Sequence, residues 1–253
     1  SWADVKNRLD ADRRCYGFFH PRLPDEPLIF VEVAFTTAIA DSITPLLDEA
    51  AAPADPARSS TAIFYSISNT QPGLKGVSFG DSLIKRVVET LRTEFPRLKV
   101  FATLSPMPGF RNWLSRHADR LLQLTPMKAR DELARSLGAQ ALTAQAVLAA
   151  LESVPALEPK SPLRHWLLQC GAQYLGREMA DGKPLDAVAR FHLGNGARVE
   201  RLNWAADPSA KGIRQSCGLM VNYLYDLGRL DRHRTQLAQG KIPVSSATAA
   251  LFF

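Results

Sequence analysis

Ser105 follows the apolar run Val100-Phe101-Ala102-Thr103-Leu104 and opens the loop Pro106-Met107-Pro108-Gly109-Phe110. Two prolines fix their own φ angles, so the loop is stiff and suits a hydroxyl held in one place. The same hydroxyl could do no more than cap the turn that follows. His192 stands between Phe191 and Leu193, ahead of Gly194-Asn195-Gly196. An imidazole there is either an acid–base group that titrates near neutral pH or a half-buried structural histidine. Tyr223 and Tyr225 read most simply as core or rim aromatics. His20 falls in a proline-rich turn, and His117 and His165 have no partner at helical metal-ligand spacing, so no metal site is expected.

A third feature is the turn Gln71-Pro72-Gly73-Leu74-Lys75-Gly76-Val77-Ser78-Phe79-Gly80-Asp81. A glycine-rich turn that opens a helix offers free N–H groups and the positive end of the helix dipole, which suits a pyrophosphate. It is not a P-loop, because Lys-Ser/Thr does not follow Gly80, and it is not the dinucleotide fingerprint. Strand, turn and helix in this order form the layout of an acyltransferase-like coenzyme A site. Lys75, Lys85 and Arg86 could add positive charge for phosphates, or could simply be solvated.

The elements that must hold these groups follow from periodicity. Ile63 to Ser68 reads as a strand. After the turn, Leu83, Ile84, Val87, Val88 and Leu91 make one apolar helix face, and Pro96 stops that helix. Val100 to Leu104 is a second short strand. Leu28 to Thr36 is nearly continuous in apolar residues and is expected to be buried on both faces. Residues 39–50 suit a helix. Asp10 to Cys15 reads as the end of a helix begun earlier, and His20 to Pro27 as a loop. Arg111 to Leu124 is amphipathic, Lys128 to Ser153 reads as two helices broken near Gly138, and Leu163 to Gly176 is another helix. Phe191-His192-Leu193 reads as a strand entering an Asn195-Gly196 hairpin turn, with Arg198 to Trp204 returning. Ile213 to Leu227 reads as a helix with Cys217, Met220, Val221 and Leu224 on one face. The last twenty residues read as a weak helix or tail.

The chain has 253 residues, enough for one large domain or two small ones. Its 46% hydrophobic and 22% charged content is that of an ordinary globular protein. No apolar run approaches a membrane span. The net charge is +6, but the basic residues are dispersed rather than clustered with aromatics, which disfavours nucleic acid and favours a small polyanion. Cys15, Cys170 and Cys217 are odd in number and widely spaced, which argues for reduced thiols. No signal peptide is visible at the start, and the end, Leu251-Phe252-Phe253, is not a Ser-Lys-Leu signal.

Four blocks then carry a resemblance. They are Ser66 to Val77, Ser105-Pro106-Met107-Pro108-Gly109-Phe110, Phe191-His192-Leu193-Gly194-Asn195-Gly196-Ala197, and Gly212 to Tyr223. In this order they resemble the malonyl-CoA decarboxylase family, from about Arg13 to Leu251. The resemblance implies an α+β fold, a GNAT-like acetyltransferase mixed sheet flanked by helices. It implies a catalytic domain over residues 1–253 with a helical insertion at about 111–180, and without the family's N-terminal helical domain.

By the same resemblance, Ser105 and His192 match the catalytic serine and histidine, and Tyr225 an active-site tyrosine with Asn222 neighbouring it. Lys75, Gly76, Val77, Ser78, Phe79, Gly80 and Asp81 match the coenzyme A pyrophosphate loop. One departure stands at Ser78, where some members carry a glutamate. The implied reaction is metal-independent loss of carbon dioxide from malonyl-CoA to give acetyl-CoA, with no cofactor beyond the coenzyme A thioester substrate. The enolate would be protonated by His192, which is expected to titrate near its ordinary value. The other readings are an acyl-CoA-dependent N-acetyltransferase and a non-catalytic acyl-CoA sensor. A homo-oligomer is implied, with no nucleic-acid or membrane partner. The implied location is the cytoplasm of a bacterium or an organellar matrix.

Overall fold

The computed structural model describes residues 10–48, 50–69, 82–151 and 158–253. Strands β1 (Arg13–His20) and β2 (Leu23–Thr36) form an antiparallel hairpin, registered from Arg13 opposite Ala34 to His20 opposite Leu23. This corrects two expectations, the helix end at Asp10 to Cys15 and the loop at His20 to Pro27. The connection is only two residues, and His20 Nδ1 accepts from the Arg22 N–H at 3.1 Å. Among the described residues, β3 (Thr61–Asn69) pairs with β2 only from Ile29 onward, so Pro24 and Pro27 each have one described neighbouring strand, which suits a residue without an N–H. β1 is the edge of the sheet, which accounts for its charged residues.

Among the described residues of 39–50, only Thr44–Leu47 turns into a helix, α1. The carbonyls just before it are already in use. Ile39 O accepts from Arg201 Nη2 at 3.0 Å and Ala40 O from Asn222 Nδ2 at 2.9 Å. Backbone groups committed to side chains elsewhere cannot join a helical ladder.

β3 (Thr61–Asn69) and β4 (Val100–Thr103) run parallel and are joined through α2 (Ser82–Glu94). Leu83, Ile84, Val87, Val88 and Leu91 are all buried, as their spacing predicts. Each such side chain contributes about 1.5–3 kcal/mol on burial. The β3–β4 ladder ends at Phe64 opposite Thr103. Beyond it the two strands part, and β5 (Ser105–Pro106) pairs instead with β9 (Met220–Leu224). Helices α3 (Phe110–Leu124), α4 (Met127–Ser136), α5 (Ala144–Ala150) and α6 (Pro162–Gly176) follow, then the small hairpin of β6 (Met179–Ala180) and β7 (Lys183–Pro184).

His192 lies in a helix, α7 (Ala187–Gly194), and not in the expected strand. Asp186 caps its start, with Oδ1 accepting from the N–H groups of Val188 and Ala189 at 2.9 Å each. Asn195-Gly196 ends it. Gly196 has φ +87° and its N–H donates to Leu193 O at 3.0 Å, so the dipeptide is a helix terminator here and not a hairpin turn.

β8 (Arg198–Asn203) leads to α8 (Ala210–Ser216) and then to β9 (Met220–Leu224). The long helix expected from Ile213 to Leu227 is therefore a short helix and a strand. Cys217 and Gly218 both take the left-handed conformation, at φ 53° and 77°, and stop α8. β9 then enters the middle of the sheet, paired with β8 on one side and with β4 and β5 on the other. The chain closes with α9 (Leu230–Ala238) and α10 (Ser246–Ala249).

The result is a seven-stranded mixed sheet flanked by helices, an α+β fold, in the order β1-β2-β3-β4-β9-β5 with β8 on β9. Its larger core packs α2, α3, α6 and α7 against Val31, Phe64, Val221 and Tyr223. A smaller one on the other side gathers Leu46, Ile63, Leu104, Ala206 and Met220.

Candidate active site

Ser105 sits at the point where β3 and β4 part. It shares a face with Thr103, because side chains two apart on a strand point the same way. Ser105 Oγ donates to Thr103 Oγ1 at 2.8 Å, and Thr103 Oγ1 also accepts from the Tyr223 N–H at 3.1 Å. The last turn of α7 brings His192 to the same place from 87 positions away, with Nε2 at 3.3 Å from Ser105 Oγ. Tyr225, just past β9, meets the far side of the ring, its hydroxyl 2.7 Å from His192 Nδ1. Its backbone N–H is anchored to Phe101 O at 2.9 Å. The imidazole stacks on the Tyr223 ring at 4.7 Å and meets the Phe191 ring edge-on at 5.0 Å. Ser105 is 5% exposed and His192 3%.

One neutral tautomer satisfies all of these contacts: Ser105 donates to Thr103 Oγ1 and accepts the Nε2–H. Nδ1 of the neutral ring is then the acceptor for the Tyr225 O–H. Burial pushes the His192 pKa down from 6.5 to about 3. That overturns the expectation of a histidine near its ordinary value, because nothing acidic lies close enough to offset the desolvation. Burial also pushes the Tyr225 hydroxyl up. The trio is therefore neutral at physiological pH.

A bracket ties the serine loop to the histidine helix. Asp186 caps α7 with Oδ1 and accepts from the Tyr174 hydroxyl with Oδ2 at 3.0 Å. Burial raises the Asp186 pKa, and its hydrogen bonds from Ala189, Tyr174 and Val188 work against that. The Tyr174 hydroxyl in turn lies over Gly109, where a Cβ would come within 2.6 Å of it. Its ring packs on Phe110 and Trp113, with centroids at 5.6 and 5.0 Å.

Asn222 points to the opposite face from His192 and does not neighbour the Tyr225 hydroxyl. Its Nδ2 donates to Thr103 O at 2.7 Å and to Ala40 O at 2.9 Å, while Oδ1 accepts from Asn203 Nδ2 at 2.8 Å. It fastens β4 to β9 behind the site.

Sequence patterns alone do not mark Thr103, Tyr174, Asp186 or Gly109 as functional groups. An Asp ahead of Ala-Val-Ala is an N-cap signal that could have placed α7. The two-residue step from Thr103 to Ser105 could have paired their hydroxyls. Lys75–Asp81, the anticipated pyrophosphate loop, lies outside the described residues. Lys85 follows in the first turn of α2, 3.9 Å from Glu89.

Among the described residues, no three His, Cys, Asp or Glu side chains converge as metal ligands. No helix there is long and apolar enough to cross a membrane. Cys15, Cys170 and Cys217 are thiols rather than disulfides.

Residues 1–252 match the model of the malonyl-CoA decarboxylase C-terminal domain. The chain belongs to the malonyl-CoA decarboxylase family. It is 40% identical over 239 residues to the mitochondrial malonyl-CoA decarboxylase of Anser anser anser, covering 90% of this chain and 47% of that one. With the Mus musculus protein the figures are 41% over 240 residues, 90% and 48%. A crystal structure of malonyl-CoA decarboxylase from Cupriavidus metallidurans matches with a TM-score of 0.88 and 48% identity, covering all of this chain and 61% of that one. The Rhodopseudomonas palustris structure matches with a TM-score of 0.83 and 46% identity, covering 100% and 56%. The chain thus spans about half the length of the curated relatives it matches.

Proposed function

We propose that this chain decarboxylates malonyl-CoA to acetyl-CoA and carbon dioxide, and that Ser105, His192 and Tyr225 do the chemistry. The observation that carries the reading is the 3.3 Å contact of Ser105 with His192, with Tyr225 behind the ring, at the mouth between β3 and β4. An extended coenzyme A arm, with its two amides, suits an unzipped strand pair. It would run along β3 beyond Phe64 and bring its thioester to Ser105. Its pyrophosphate falls to Lys75–Asp81, which directly precede α2 in the sequence.

Loss of carbon dioxide leaves an enolate. The site must make the carboxylate easy to lose, hold the thioester oxygen, and supply one proton. Burial of Ser105 and His192 does the first, since a desolvated carboxylate is destabilised against neutral carbon dioxide. The second falls to the Ser105 hydroxyl, which turns from Thr103 to the thioester oxygen when substrate binds, leaving His192 Nε2–H for the proton transfer. Removing one such donor typically costs about 3 kcal/mol, or 10²–10³ in rate.

The third need is met by a neutral imidazole. Nε2–H passes to the carbanion while Nδ1 takes the Tyr225 proton. A thioester carbanion is a far stronger base than a phenolate, so this shift runs downhill even with the Tyr225 pKa raised. The thioester carbonyl is the electron sink, so the reaction as drawn calls on no cofactor.

The test is turnover of malonyl-CoA with no amine present. Equal amounts of acetyl-CoA and carbon dioxide are expected, and His192→Asn should be about 10²- to 10³-fold slower. Binding without turnover would identify a sensor, and acyl transfer to an added amine an acetyltransferase. Full-rate His192→Asn would sink the residue assignment.

A further inference from the structure

A polar cavity of about 300 Å³ opens at the end of β8, and Asp41, Ser42, Arg164, Arg201, Asn203 and Trp204 are among its lining residues. That volume is at the lower end of the range for small-molecule sites. Arg201 and Asn203 are two apart on β8 and both reach Asn222, so they lie on the face of the sheet opposite His192. Arg201 Nε donates to Asn203 Oδ1 at 2.8 Å and to Asn222 Oδ1 at 3.3 Å, and its Nη2 donates to Ile39 O at 3.0 Å. All three acceptors are uncharged, so this guanidinium is held in place without being neutralised. Arg164, in the first turn of α6, lies over the Trp204 ring at 5.0 Å. Its guanidinium makes no hydrogen bond to a described residue, and no described carboxylate pairs with either arginine. Asp41, the one acid in the lining, is exposed and reaches neither. Two unneutralised guanidiniums on one concavity repel each other, and their planar forks of N–H donors match the oxygens of a carboxylate or a phosphate.

We propose that this cavity binds a small doubly charged oxyanion, a dicarboxylate or a phosphate, between Arg164 and Arg201. The site is separate from the one assigned to malonyl-CoA, because β9 stands between them, with Asn222 on one face and the His192 ring on the other. Arg201 supplies a charge fixed by three hydrogen bonds, and Arg164 supplies a fork whose donors are all unused. The Trp204 ring keeps one side of that fork out of water, which strengthens its pairing with an anion. Asp41 opposes the ligand's charge from the rim, so it weakens binding and offers a handle on the sign of the field.

Calorimetric titration of the full chain with succinate, inorganic phosphate and acetate, at fixed ionic strength, tests the site. Each titration is run with and without saturating acetyl-CoA, which fills the site assigned to the substrate and leaves only binding elsewhere. Succinate or phosphate is expected to bind in both conditions, with acetate about 10-fold weaker or more, because a single carboxylate engages one guanidinium. The tighter of the two dianions tells which class the site takes. Arg164→Gln is expected to weaken binding by about 10- to 100-fold through loss of charged hydrogen bonds, and Arg164→Lys by less, since it keeps the charge and loses the fork. Asp41→Asn is expected to tighten binding by about 2- to 5-fold, a gain that damage to the fold does not mimic. No binding of either dianion, displacement of the anion by acetyl-CoA, or equal affinity in Arg164→Gln and wild type would overturn the site. Each of these results leaves the decarboxylase reading intact, since the anion site does not depend on it.

Discussion

Gly109→Ala probes the bracket between the serine loop and the histidine helix. The added methyl would stand 2.6 Å from the Tyr174 hydroxyl, where ordinary contact begins at about 3.4 Å. Something must move by roughly 0.8 Å. The Tyr174 ring is wedged against Phe110 and Trp113, and its hydroxyl is held by the buried Asp186. Overpacking of this kind costs about 1–3 kcal/mol, and losing the hydrogen bond to Asp186 about 1–3 kcal/mol more if the hydroxyl swings away. A net loss of about 2–4 kcal/mol is expected, or roughly 4–16 °C in Tm for a chain of this size. Urea titration and thermal melts measure it. Tyr174→Phe removes the offending oxygen, so the double variant should be less destabilised than the sum of the singles by about 1–2 kcal/mol. Because Asp186 also caps α7, Gly109→Ala should lower kcat as well, by moving His192 off Ser105. Strict additivity, or a Gly109→Ala protein as stable as wild type, would refute the bracket.

Other expectations follow from the buried trio and its support. The kcat/KM profile should show no imidazole inflection near pH 6.5, since His192 stays neutral down to about 3; an inflection there that vanishes in His192→Asn would show a hydrated ring. The same shift has a stability sign. The folded pKa is below the unfolded one, so the His192 contribution is present above pH 6.5 and is lost as pH falls towards 3. Denaturation at stepped pH should therefore lose about 1.4 kcal/mol per unit from this group, a slope that His192→Asn flattens. Asn222→Ala should cost about 2–4 kcal/mol by stranding the Thr103 and Ala40 carbonyls, as measured by urea unfolding. Tyr225→Phe leaves Nδ1 without its donor and should slow malonyl-CoA turnover by about 10- to 100-fold with a smaller change in KM.

Much of the frame is legible in the order of residues. β2 from Leu28, β3, α2 and the helices from Phe110 to Gly176 carry clear periodicity, because each buries one continuous face. The pieces that depart from expectation are those where local signals meet a tertiary contact. Cys217, Met220, Val221 and Leu224 fit a helix face, yet two left-handed residues turn the chain into a strand that the sheet completes. Asn195-Gly196 carries a hairpin signal, yet Asp186 has already started a helix that needs an end. β1 is a charged edge strand with one partner, so its sequence lacks a buried pattern. As for the site, stiff prolines mark Ser105, but nothing local joins it to His192 and Tyr225 across 87 and 120 positions. Family resemblance supplies that pairing, and the fold explains it. The neutral state of His192 is not legible in the sequence because it depends on burial from several elements at once.

β9 has a consequence for how this domain can vary. Met220 and Asn222 serve the smaller core and the clamp on Thr103, while Val221 and Tyr223 serve the larger core and the floor under His192. Adjacent residues thus work on opposite sides of a strand paired along both edges. Inserting or deleting one residue between Leu219 and Tyr225 would exchange the two sets, placing an amide under the imidazole and a phenol in the Ala40 contact. Substitutions in this stretch can be graded in cost, but its length cannot change. At the Gly240 turn a new Cβ meets nothing within 4 Å, so insertions there have open space to occupy.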